Sequence, residues 1–147
     1  MARVLVLHGP NLNLLGEREE EIYGWTTLEQ INRDLQQHGE TEGVEVVAFQ
    51  SNHEGELINQ IHNARGNFDV IILNPGAFTH YSYAIYDAVR GVNIPVIEVH
   101  LSNINARDPW RNISVVAPAA WGQISGFGPL SYHLALTAAC HLIKSYK

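Results

Sequence analysis

An α/β fold with a parallel sheet covered by helices on both faces is predicted by three features of the chain. Short apolar runs of strand character alternate throughout with segments whose apolar residues recur at helical spacing. Glycine, proline and asparagine punctuate nearly every junction between the two kinds of segment. The third apolar run, Phe68-Asp69-Val70-Ile71-Ile72-Leu73, is the most hydrophobic, as expected of a central strand buried on both sides.

The elements follow in order. Arg3 to Leu7 forms the first strand and leads into a loop beginning at Gly9-Pro10. Thr26 and Glu29 have capping-box spacing, and Leu28, Ile31 and Leu35 then define one helical face that ends at Gly39 or Gly43. Val44 to Phe49 is the second strand. Ser51 and Glu54 repeat the capping-box spacing before a helix with Leu57, Ile58, Ile61 and Ala64 on one face, closed by Gly66. The third strand breaks at Asn74-Pro75-Gly76, and a helix follows from about Tyr81 to Val89. Ile94 to His100 is the fourth strand, and Leu101 to Asn112 is a polar connection. Ile113 to Val116 is expected as a short fifth strand at an edge. A loop with Gly122, Gly126 and Gly128 leads to a last helix from about Pro129 to Ser145, with Pro129 suited to its first turn. Right-handed crossovers between five such strands suggest the flavodoxin-like order 2-1-3-4-5.

The 147 residues fit one domain, 1–147, large enough for a core without disulfides. Nine basic against fifteen acidic residues leave a formal charge of −6, which argues against nucleic acid or an anionic membrane as partner. A small anionic substrate remains compatible if a few arginines converge. The single cysteine, Cys140, lies in an apolar run and reads as a buried structural thiol, which suits a reducing cytoplasmic setting. The first apolar run is only four residues long before His8-Gly9-Pro10, so no signal segment is expected, and no stretch approaches membrane-spanning length.

The loop from Gly9 to Gly24 is too long for an ordinary connection and carries Asn11, Asn13, Arg18 and Tyr23, which suggests an active-site loop with a mobile lid portion. Ligands in open parallel sheets bind beyond the carboxyl ends of the strands, near the switch in strand order. Strand one ends at Asn11, strand three at Asn74 with Thr79 and His80 just after, and strand four at Glu98 and His100 with Leu101, Ser102 and Asn103 just after. Glu98 and His100 are two apart on a strand and so share a face, where the carboxylate would orient or charge the imidazole and prepare a general acid. A tyrosine of pKa about 10 is a poor base, and an arginine such as Arg18 beside Tyr23 would stabilise its phenolate. Arg107 and Arg111 line up only if their segment is helical, which Pro109 opposes; either can bind an anion, although Arg107 reads more simply as a solvated side chain. His80 and Asp87 are seven apart and would share a helix face. Tyr132 and its neighbours read as helix packing. Gly126-Phe127-Gly128 imitates a dinucleotide-binding motif but lacks the third glycine and a following strand. His8, His80, His100 and Glu98 match no compact metal motif.

Three motifs together resemble the type II 3-dehydroquinate dehydratases. They are Gly9-Pro10-Asn11-Leu12-Asn13-Leu14-Leu15-Gly16 with Arg18 and Tyr23-Gly24; Asn74-Pro75-Gly76-Ala77 with Thr79-His80; and Glu98-Val99-His100-Leu101-Ser102-Asn103 with Arg107 and Arg111. The resemblance implies reversible dehydration of 3-dehydroquinate to 3-dehydroshikimate by anti elimination through an enolate, in the shikimate pathway or in quinate catabolism, with no metal or organic cofactor. It implies Tyr23 as base, Arg18 as its activator, His100 as acid and Glu98 as the carboxylate that orients it. Asn11 corresponds to an enolate-stabilising residue, Asn74, His80 and Arg111 to substrate-hydroxyl contacts, and Leu101 and Ser102 to a carboxylate-binding turn. Asp87 corresponds to an acid supplied by a neighbouring subunit, which implies trimers, usually assembled into a dodecamer. Glu20 replaces a lid proline common in the family, Asp108-Pro109-Trp110 replaces a more usual acidic-x-Phe pattern, and Ser131 stands where glycine is common. Two rival readings of the same residues are a non-catalytic flavodoxin-like binding module and a metal-dependent hydrolase using His80, His100 and Glu98.

Overall fold

A computed structural model describes residues 1–17 and 25–145 of the chain. Five parallel strands, β1 (Ala2–His8), β2 (Val44–Gln50), β3 (Val70–Asn74), β4 (Val96–His100) and β5 (Gly122–Ser125), form one sheet in the order β2-β1-β3-β4-β5. Four helices connect and cover them: α1 (Leu28–Glu42), α2 (Glu54–Asn63), α3 (Tyr83–Gly91) and α4 (Leu130–Ser145). The expected order is therefore the observed one.

Strand periodicity divides the core in two. Val4 and Val6 of β1, Ile72 of β3 and Val99 of β4 face α1 and α4, where they meet Ile31, Leu35, Leu136 and Ala139. Leu5, Leu7, Ile71 and Leu73 face the other way and meet Leu57 and Ile61 of α2 and Ile85 of α3. Each such side chain fully buried contributes roughly 1.5–3 kcal/mol. Cys140 lies within the first cluster, as expected of a structural thiol, and burial raises its pKa. Gly39 does not end α1: it is buried inside the helix, where an added Cβ would stand 2.6 Å from Val46 Cγ2. Gly43, at φ 78°, ends it. Among the described residues no helix is long and apolar enough to cross a membrane.

Local expectations needed four corrections. The cap of α1 is Thr27 rather than Thr26, and its hydroxyl accepts from Gln30 N at 3.1 Å. The N-cap of α2 is His53; Ser51 accepts from His53 N at 2.9 Å and donates to Glu56, while Glu54 accepts from Ser82. Residues 76–80 form a separate 3-10 turn, and α3 starts only after Ser82, which caps it by accepting from Ile85 N. The fifth strand is Gly122–Ser125, not Ile113–Val116. Ser114 explains that displacement: its hydroxyl binds Glu98 and accepts from Val116 N and Ala117 N, so the segment turns instead of extending.

Candidate active site

Parallel register brings the strand ends to one level. His8 of β1 pairs with Asn74 of β3, and Leu73 of β3 with Glu98 of β4. The loops beyond β1 and β3 touch backbone to backbone. Gly9 N donates to Asn74 O at 2.7 Å, and a Cβ on Gly9 would sit 2.6 Å from the Pro75 carbonyl carbon, so only glycine fits there. Asn11 adopts the left-handed conformation at φ 69°, which asparagine tolerates, and its backbone N–H donates to Asn52 Oδ1 at 3.0 Å. These loops and the end of β4 enclose a cleft lined by Asn11, Asn74, His100, Leu101, Ser102, Arg107 and Arg111.

Glu98 and His100 project from one face of β4, as their spacing predicts. His100 Nε2 lies 2.5 Å from Glu98 Oε2; Glu98 has no exposed surface and His100 only 5%. Burial pushes the Glu98 carboxyl up, but the hydrogen bond and charge of His100, with the hydroxyls of Thr79 and Ser114, outweigh it and hold Glu98 below the usual carboxylate range. Among the described residues, four side chains donate to this carboxylate. Thr79 Oγ1 does so at 2.5 Å, Ser114 Oγ at 2.8 Å and Gln123 Nε2 at 3.1 Å, besides His100. With Nε2 occupied by Glu98, His100 has Nδ1 left for the cleft.

Cationic groups converge on the same cleft. Arg107 and Arg111 occupy two separate short turns rather than one helix, yet both reach it. Arg107 is not the solvated side chain expected: its guanidinium donates to the Ser102 hydroxyl. Arg111 lies with Cζ 4.8 Å from the centre of the Trp110 ring, and its buried Nε has no hydrogen-bond partner among the described residues. Such an orphan donor is suited to a ligand acceptor. His80 ends the 3-10 turn of residues 76–80. Burial lowers its pKa most; a hydrogen bond with the Ile113 carbonyl opposes this, and the positive charge of His100, Arg111 and Arg107 lowers it further. Because Ile113 O only accepts, Nδ1, 2.8 Å away, is the donor and Nε2 is the acceptor nitrogen; His80 is outside the cleft lining. The backbone after β4 is held by Gly126 N on His100 O and Gly128 N on Leu101 O. Ser131 accepts from Phe127 N at 3.0 Å and so closes that turn.

One expectation is not met within the chain. His80 lies in the turn before α3, so it and Asp87 do not share a helix. Asp87 stands exposed on α3, outside the cleft lining. Arg18 and Tyr23 lie outside the described residues. Among the described residues no three His, Cys, Asp or Glu side chains are gathered so as to hold a metal ion.

Residues 2–140 match the family described as Dehydroquinase class II. The chain belongs to that family. It is 58% identical over 139 residues to a 3-dehydroquinate dehydratase of Caldicellulosiruptor bescii, covering 94% of this chain and 96% of that one. It is 55% identical over 143 residues to the protein of the same name from Ruegeria pomeroyi, covering 97% and 96%. The crystal structure of a type II dehydroquinase from Butyrivibrio crossotus superposes with a TM-score of 0.92 at 46% identity, covering 94% of this chain and 97% of that one. The matched span of this class II dehydroquinase contains every strand end that builds the cleft.

Sequence reading passed over several residues of the site. Thr79 was visible only as part of a motif, Ser114 lay inside the segment read as a strand, and Gln123 lay in a segment read as loop. Their common role depends on a carboxylate 16 to 25 positions away. Tyr132, read as packing, binds His8 and Asn74.

Proposed function

We propose that this class II dehydroquinase dehydrates 3-dehydroquinate to 3-dehydroshikimate reversibly, with His100 as the acid and Tyr23 as the base. The observation that carries the reading is the buried Glu98–His100 pair, 2.5 Å apart, with His100 lining a cleft that also gathers Arg107 and Arg111, whose Nε has no hydrogen-bond partner among the described residues.

Proton removal beside the substrate ketone develops negative charge on the carbonyl oxygen, and positioned donors lower that barrier. Asn11 supplies such a donor to the enolate. The hydroxyl on the opposite face leaves poorly as hydroxide, so it takes a proton from His100 Nδ1 and departs as water. Glu98 keeps the imidazole oriented and offsets its charge while Thr79, Ser114 and Gln123 hold the carboxylate still. Tyr23 takes the substrate proton as a phenolate stabilised by Arg18. Arg111, Asn74 and His80 Nε2 contact substrate hydroxyls, and the backbone at Leu101 and Ser102 takes the carboxylate. The exposure of Asp87 suits a residue that completes the cleft of another copy in a trimer, with trimers assembled into a dodecamer.

Adding the protein to 3-dehydroquinate is expected to raise ultraviolet absorbance, because the product is a conjugated enone and the substrate is not. Tyr23→Phe is expected to remove the rise while leaving the fold unchanged by circular dichroism. A flat trace from folded wild-type protein, or near-normal turnover by Tyr23→Phe, overturns the corresponding part of the reading.

A further inference from the structure

On the sheet face opposite Glu98, a line of polar side chains runs inward from the cleft. Asn74 Nδ2 donates to the Tyr132 hydroxyl at 3.0 Å, and Asn74 Oδ1 accepts from Gly76 N at 3.1 Å. The same hydroxyl lies 2.8 Å from His8 Nδ1, and His8 Nε2 lies 2.7 Å from Asn32 Oδ1 on α1. His8 and Tyr132 have no exposed surface and Asn74 has 3%.

The protons in this line can be placed. Asn32 Oδ1 only accepts, so His8 carries its proton on Nε2 and presents Nδ1 as an acceptor. Tyr132 therefore donates to His8 and accepts from Asn74. The reverse arrangement, with Asn32 donating and His8 protonated on Nδ1, would give the Tyr132 oxygen two donors. Its own hydrogen would then lack an acceptor in a fully buried site, which costs about 1–3 kcal/mol. Flipping Asn74 is opposed at both ends: its amide nitrogen would face Gly76 N–H, and its oxygen would face a Tyr132 oxygen whose hydrogen is engaged by His8. Burial keeps His8 neutral, with its pKa lowered to about 4. Phenylalanine would fill the space of Tyr132 without bringing a hydroxyl that needs partners.

We propose that His8 and Tyr132 are positioning residues that lock the Asn74 carboxamide in one orientation at the floor of the cleft, and thereby set how tightly the substrate is held. One amide hydrogen and one Oδ1 lone pair of Asn74 remain for the ligand, and the line fixes which side of the amide offers each. The proposal rests on the assignment of 3-dehydroquinate as substrate.

Steady-state kinetics of Tyr132→Phe and Asn74→Ala with 3-dehydroquinate test it. Each is expected to raise KM about tenfold with kcat changed less than about threefold, the pattern of lost uniform binding. The double variant is expected to be no worse than the poorer single one, because both act through one contact. A lowered Tm with KM unchanged would mean a purely structural hydroxyl and would overturn the proposal. If Tyr132→Phe does not fold, Asn32→Ala on the half-buried side of α1 replaces it; a smaller rise in KM supports the line and an unchanged KM overturns it. Nitrogen NMR of ¹⁵N-histidine-labelled, ligand-free protein separates this from the function itself. It is expected to show His8 neutral with its proton on Nε2, and mixed tautomers in Asn32→Ala. Absence of wild-type turnover with that spectrum would defeat the substrate assignment alone, whereas a proton on Nδ1 would defeat the line.

Discussion

His8 and His100 sit at strand ends of the same sheet and are buried to nearly the same depth, 0% and 5% exposed, but their surroundings differ. His100 faces a carboxylate with three further donors that hold it ionised. Among the described residues His8 hydrogen-bonds a phenol and an amide oxygen, and burial drives its pKa down to about 4. The charge a buried imidazole can carry is thus set by its neighbour, not by its depth. The alternation of strand side chains makes the difference possible, because residue 8 of β1 projects on the face of Val4 and Val6 and residue 100 of β4 on the face opposite Val99.

Replacing the carboxylate is the most severe way to break the contrast. Glu98→Gln keeps the shape but removes the charge beside His100; kcat is expected to fall at least about tenfold, bounded by the roughly 10²–10⁴-fold that a general acid contributes. His8→Gln in the same assay is expected to change kcat less than about threefold, under 1 kcal/mol of barrier. Equal losses of kcat in both variants would erase the distinction.

Acid stability sharpens it. The folded pKa of His8, about 4, lies below the ordinary value of 6.5, so the unfolded chain takes the proton first. The contribution is complete above about pH 6.5 and is lost as pH falls through about 4. It amounts to about 3 kcal/mol at 1.36 kcal/mol per unit. Urea unfolding between pH 7 and 4 is expected to show this loss in the wild type and a shallower one in His8→Gln; parallel slopes would place the acid sensitivity elsewhere. A smaller effect is expected at the Glu98 cradle. Ser114→Ala removes one donor to the carboxylate and an acceptor of two backbone amides, and is expected to lower stability by about 1–3 kcal/mol. Unchanged unfolding in Ser114→Ala would show that the remaining donors suffice.

Much of this arrangement was legible in the sequence where the signal was local. Val70 to Leu73 could be read as a central strand because an uninterrupted apolar run demands cover on both faces. Glu98 and His100 could be placed on one face because strand periodicity is two. The fifth strand was misplaced because Ile113 to Val116 has β-branched character, while the actual strand, Gly122–Ser125, is short and contains a glycine. Its pairing with β4 lies in tertiary contacts that no local pattern reveals. Tyr132 was hidden for the same reason, since its partners His8 and Asn74 are 124 and 58 residues away. Thr27 displaced Thr26 as a cap by a single position, a distinction set by backbone geometry at Gln30 rather than by residue type.

The most direct test of the central claim is the initial rate of enone formation from 3-dehydroquinate by wild-type protein and by His100→Ala, both verified as folded. The wild-type rate is expected to fall by roughly 10²–10⁴-fold in the variant through kcat. A His100→Ala rate within about threefold of wild type would contradict the assignment of His100 as the acid.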